Sequence, residues 1–195
     1  MPLPSTAYVL LWFPQPTQTF VFREVAWLLE HGLPLTVFTL YGPVTRRLSP
    51  QMREFAGPVE RLGLGSLRRA PAAIWHWLRR NPAETRHLWR TAPWALLREM
   101  PPTRPRQVEK GGECLWGFLC GFVLARRFQE LGIERIHAPW ASGPATAAWV
   151  ASRLTGIPFS FTGRAWDIYP PDGCLREKIR DASFVRVNTA HNVGY

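Results

Sequence analysis

Only two of the 24 basic residues are lysines, Lys110 and Lys178, and acidic residues number just 14, so the formal charge of +10 is carried almost wholly by arginine. Cysteine is scarce as well. Cys114, Cys120 and Cys174 show neither C-x-x-C spacing nor a histidine cluster, which argues against a zinc site or a disulfide framework and for buried thiols in a reducing cytoplasm. No run approaches the ~20 consecutive apolar residues of a membrane span. The opening apolar run, Ala7 to Phe13, is too short for the core of a signal peptide and has no basic stretch before it, so a cytoplasmic chain without a spanning segment is expected. A G-x-G-x-x-G loop is missing too: Gly63-Leu64-Gly65-Ser66 lacks the third glycine and the later acidic residue, and reads as a turn. No nucleic-acid reader motif accompanies the positive charge, so nucleic acid is not an expected partner.

What is present is a repeated grammar. With 195 residues, 46% of them hydrophobic, the chain has the size and apolar content for one domain with an ordinary core. Phe20 to His31 has helical spacing and closes at Gly32, before the apolar run Pro34 to Leu40. Glu109 to Leu131 closes at Gly132, before Ile133 to Ala138. Ser142 to Leu154 closes at Gly156, before Pro158 to Thr162. Three helix-glycine-strand junctions, with Ala7 to Phe13 and Phe184 to Asn188 as further strands, predict an α/β fold: a Rossmann-like three-layer sandwich around a parallel sheet.

In such a sheet, ligands sit outside the carboxyl ends of the strands. His137, Ser142 and Gly143 follow one strand and Arg164 and Asp167 follow another, so these five are candidates to line one pocket. For Asp167 the alternative is to cap the following turn, and for His137 it is a hydrogen bond to a neighbour. Ser142 is a plausible N-cap, and Thr17 or Thr19 is placed to cap the first helix, whose free backbone N–H groups suit an anion. Between about 66 and 110 lies an insert with ten basic residues against Glu84, Glu99 and Glu109, and with Trp75, Trp77, Trp89 and Trp94 interleaved. It reads as two helices, Leu67 to Trp77 and Glu84 to Leu97, broken at Asn81-Pro82 and limited further by Pro71 and Pro93. Three readings fit it: plain packing with solvated charge, contact with an anionic membrane surface, or a nucleic-acid track.

The loop FPQPTQTF with the following Arg23-Glu24, the turn HAPWASGPATAA, the strand end FTGRAWDIY and the stretch LREKIRDASFVRVNTAHN together resemble the N-terminal domain of family 4 glycosyltransferases, closest to bacterial enzymes of exopolysaccharide and colanic acid assembly. The likeness covers Ala7 to Leu40 and Gly112 to Tyr195. It implies the N-terminal, acceptor-side half of a GT-B fold, with a nucleotide-sugar as donor, a lipid-linked or polysaccharide acceptor, retention of configuration, and no metal or other cofactor. The nucleotide-sugar domain is not in this sequence, so the chain alone is expected to be inactive and a separately encoded C-terminal half is a conceivable partner. The resemblance assigns Arg164, Asp167, His137, Ser142 and Gly143 to the acceptor, Thr17, Gln18 and Thr19 to the nucleotide-sugar loop, and Asn188 to the hinge side of the cleft. Two positions depart from the family pattern. Arg164 stands where the family has a histidine, and Gln18 stands where it tends to an acidic residue. A non-catalytic glycan-binding or docking module is the alternative function.

Overall fold

The glycines that close the predicted helices behave as their positions require: Gly32, Gly132 and Gly156 take positive φ of 79°, 63° and 78°, a left-handed turn that lets each helix end and the next strand begin. The computed structural model describes residues 2–99, 105–169 and 173–194. In chain order the elements are β1 (Thr6–Leu10), α1 (Thr19–Glu30), β2 (Leu35–Thr39), α2 (Pro50–Arg53), β3 (Val59–Arg61), α3 (Ala70–Arg80), α4 (Pro82–Glu99), α5 (Pro105–Glu130), β4 (Arg135–Ala138), α6 (Gly143–Thr155), β5 (Phe159–Gly163), α7 (Ala165–Ile168), α8 (Leu175–Asp181) and β6 (Phe184–Val187). Short 3₁₀ turns occupy Leu64–Arg68 and Ala190–Gly194. The six strands form one all-parallel sheet in the order β3-β2-β1-β4-β5-β6, a Rossmann-like α/β architecture whose direction reverses between β1 and β4.

Strand alternation divides the core in two. Ala7, Val9, Phe38, Ile136, Ala138, Phe159 and Phe161 point to the face covered by α3, α4, α5 and α6, while Tyr8, Leu10, Leu35 and Val37 point to α1, where Val21, Val25 and Phe13 meet them. Beyond β1, that second face has no covering helix among the described residues, although Ser160 and Thr162 of β5 are buried there. Its cross-strand row runs Tyr8–His137–Ser160–Phe184, and a groove of about 320 Å³ lies over it, walled by Leu28 and Glu24 of α1.

The basic insert is part of the covering layer. Trp77 is buried and its Nε1 donates to the Phe122 carbonyl at 3.1 Å, Trp89 packs on Phe118 and Phe122, and Leu88, Ala92 and Ala95 are buried against α5 and α6. The two expected helices exist and break at Asn81, but α4 runs on through Pro93. Arg104 and the side chains of Trp94, Arg98 and Arg106 lie outside the described residues. The strand β3 was not expected: Val-Glu-Arg is too short and polar for a periodicity signal, and pairing with β2 creates it. Cys114, Cys120 and Cys174 are buried thiols, and burial pushes the Cys120 thiol up to about 12. Among the described residues no helix is long and apolar enough to cross a membrane.

Candidate functional site at the carboxyl edge of the sheet

Three strand-end loops converge at the β1/β4 reversal. The loop after β1 is anchored inward by Phe13, which packs on Phe22 and Phe55 and whose carbonyl accepts from Arg61 Nη2 at 3.4 Å. Its outer side is held by a stack in which Trp12 lies on Tyr41, and Tyr41 on Trp116. The N-cap of α1 is Gln18, and no side chain caps the helix, so neither Thr17 nor Thr19 does what the sequence suggested; both are exposed at the loop. The loop after β4 brings Pro139, Trp140 and Ser142 to the same edge. Ser142 is the N-cap residue of α6, but its side chain makes no capping bond: Pro144, two residues on, has no N–H to offer it, and the Gly143 N–H donates to Glu113 Oε1 at 3.1 Å. The loop after β5 brings Arg164. Its guanidinium carbon lies 4.4 Å from the Phe20 ring centre and 5.0 Å from that of Trp140, and Nε donates to the Pro139 carbonyl at 3.1 Å. Thus one side chain ties all three loops.

Asp167 fixes this junction from beneath. It is fully buried, its Oδ1 accepts from the Arg164 N–H at 2.6 Å, and its Oδ2 accepts from the Ala141 N–H at 2.5 Å. Burial raises its pKa, opposed by these two backbone bonds and by the nearby Lys178 charge. Lys178, also fully buried, donates to the Ala141 carbonyl and, at 3.3 Å, to Thr146 Oγ1. The carboxylate therefore serves the loop backbone, in line with its capping alternative.

The five candidates do not share one pocket. Arg164 lines a wide depression of about 600 Å³ with Phe20, Arg23, Trp27 and Arg186, where Arg186 Nη1 donates to Glu24 at 3.1 Å. Ser142 lines a smaller neighbouring cavity of about 170 Å³ with Gln18, Lys110, Trp140 and Trp166. Gly143 is buried between α5 and α6. His137 is the clear displacement: alternation turns it onto the open sheet face, where Nδ1 pairs with Ser160 Oγ at 2.9 Å and the ring lies beside Tyr8 and Phe184. Burial first, then the charges of Arg186 and Arg164, lower its pKa to about 4, so it is neutral at physiological pH. Burial and the Glu24 carboxylate keep the Tyr8 phenol protonated. Asn188 is exposed beyond β6 and lines none of these cavities.

Sequence reasoning missed Phe20, Trp140 and Arg186. The first two stood inside the quoted motifs, and an aromatic next to a strand-end loop is the signal that could have found them; Arg186 gave none, because its neighbours are brought to it only by the sheet. Chemically, Nε of Arg164 is engaged and its ring partners shield it, so the Nη pair is the part left to hold an anion at the rim. Among the described residues no group of three or more histidine, cysteine, aspartate or glutamate side chains is arranged to hold a metal ion. The sequence matches no protein-family model, and no curated protein is similar to it.

Proposed function

We propose that the chain is the acceptor-side half of a retaining glycosyltransferase, one wall of a cleft in which a nucleotide-sugar gives its sugar to a lipid-linked or polysaccharide acceptor. The observation that carries this reading is the meeting of the loops after β1, β4 and β5 at the point of strand-order reversal, with Arg164 clamped between Phe20 and Trp140. On this reading the Nη pair of Arg164, with Arg23 and Arg186 beside it, holds the anionic group of the acceptor. Arginine does not serve as a base, so its part is positioning. On this reading the start of α1, at Thr17, Gln18 and Thr19, faces the negative charge that develops as the nucleoside diphosphate departs; the Gln18 N–H already donates to the Gln15 carbonyl at 3.0 Å, so the N–H groups beside it do the binding, and a second domain supplies the nucleotide site.

The test uses the purified chain with a short-chain prenyl diphosphate sugar and with nucleotide-sugars. Saturation-transfer NMR is expected to show binding of the prenyl diphosphate sugar, weakened about tenfold by Arg164→Ala, as for loss of a charge-assisted pair. No nucleoside diphosphate is released from nucleotide-sugars. Enzyme-like turnover by the chain alone, or no binding of the diphosphate sugar, sinks the reading. One observation favours a second reading, a non-catalytic glycan-binding or docking module: the carboxylate of Asp167, the family's acidic position, is consumed by backbone bonds.

A further inference from the structure

Sharing no lining residue with the two rim cavities, a cavity of about 400 Å³ lies between β3, α3 and α5, lined by Arg61, Arg68, Arg69, Arg126 and Arg127 against Glu60 and Glu130. Both glutamates are engaged. Glu60 receives Arg127 at two points, 2.8 and 2.9 Å, and Glu130 accepts from Arg126 and Arg127 at 3.2 Å each. Arg61 reaches the Phe13 carbonyl. Arg68 and Arg69 are exposed and form no ion pair among the described residues. Two adjacent guanidinium groups thus stand over a cavity without a counter-charge, and their donor forks match the oxygens of a phosphate.

The same segment displays apolar side chains. Leu64 is 69% exposed, Leu67 48% and Trp75 58%. Arg68, Ala72, Trp75 and Arg79 recur at helical spacing along one exposed stripe, and the Arg79 guanidinium lies 4.6 Å from the Trp75 ring centre. Buried Trp77 pins α3 to α5, so these groups project from a fixed base. A nucleic-acid backbone would engage the arginines and stack on the indole, but it has no use for projecting leucines. An anionic bilayer uses all three: leucines enter the headgroup layer, the indole rests at the interface, and arginines meet phosphates.

We propose that this face docks on an anionic phospholipid membrane, with the cavity at Arg68 and Arg69 holding a lipid phosphate while Leu64, Leu67 and Trp75 enter the headgroup layer. The surface is separate from the rim at Arg164 and its test involves no sugar transfer. Co-sedimentation of the full chain with phosphatidylglycerol–phosphatidylcholine vesicles, compared with phosphatidylcholine alone, is expected to show binding only to the former. Arg68→Gln/Arg69→Gln lowers that partitioning about 25-fold, about fivefold per basic residue near the surface, and Trp75→Ala lowers it by about fivefold. Arg135→Gln, the same kind of charge loss on the open sheet face, changes it by less than about twofold, and circular dichroism verifies that each variant is folded. Binding to neutral vesicles as well, binding to neither, or a double variant that binds like the original chain overturns the proposal. Two companion titrations discriminate the source of phosphate. Inorganic phosphate binding that needs Arg68 and Arg69 without vesicle binding assigns a free-phosphate site, and a DNA mobility shift lost in the double variant without vesicle binding assigns a nucleic-acid surface; either overturns the membrane assignment.

Discussion

Asp167 and His137 show how a residue's surroundings decide its work. Asp167 accepts two backbone N–H bonds and faces Lys178, so Asp167→Ala leaves two donors and a buried ammonium unanswered, and a loss of about 3 kcal/mol is expected from the denaturant midpoint. His137 makes a pH prediction of defined sign. Its folded pKa, about 4, lies below the ordinary 6.5, so the native state resists a proton that the unfolded chain accepts. The stability it supports is present above pH 6.5 and is lost as pH falls from there through 4. With discount for its partial exposure, about 2 kcal/mol should disappear across that interval, and His137→Gln should flatten that part of the pH–stability curve. A curve that His137→Gln leaves unchanged removes the linkage. From the sequence both residues were legible as strand-end polar groups, yet their partners were not: Ser160 and Ala141 come to them only once strands pair.

At the scale of elements, α5 and α6 approach each other closely. A Cβ at Gly117 would lie 2.2 Å from the Gly143 carbonyl oxygen, and one at Gly121 would lie 2.6 Å from Val150 Cβ, so the two helices approach on glycine and alanine surfaces. Gly112, in the same helix, has nothing within 4 Å of its Cβ position. Gly117→Ala is therefore expected to cost about 3 kcal/mol through overpacking against backbone, whereas Gly112→Ala stabilises by about 0.5 to 1 kcal/mol through helix propensity. Equal effects in chemical denaturation would refute the close-approach account. Periodicity and terminal glycines revealed that both helices exist, and that β4 and β5 follow α5 and α6. They did not reveal which glycines were for ending a helix and which for touching another, since that difference lies in a neighbour far along the chain. The Trp-rich insert was similarly ambiguous: Trp75 and Trp77 differ by two positions, and only packing sends one to solvent and the other under α5.

Across the described residues, α1 packs on one face of β1 and β2, while the same face of β4 to β6 carries a groove where β1 and β2 have a helix. The sequence of the later strands already encodes this imbalance, because Arg135-Ile136-His137-Ala138, Phe159-Ser160-Phe161-Thr162 and Phe184-Val185-Arg186-Val187 alternate, whereas strands buried on both faces read as continuous apolar runs. Parallel pairing then places Ser160 and Phe184 side by side, and leaves Phe184 56% exposed on the open face while Phe161 is completely buried on the other. Two substitutions in adjacent strands should therefore diverge. Phe161→Ala opens a cavity in a packed layer and should cost about 4 kcal/mol. Phe184→Asp, on the groove floor, should cost less than about 1 kcal/mol, since it removes only the contact of a half-exposed ring with His137. Urea unfolding of the two variants measures the contrast, and a Phe184→Asp loss approaching that of Phe161→Ala would mean that the groove is already closed by packing and that the sheet is covered on both sides throughout.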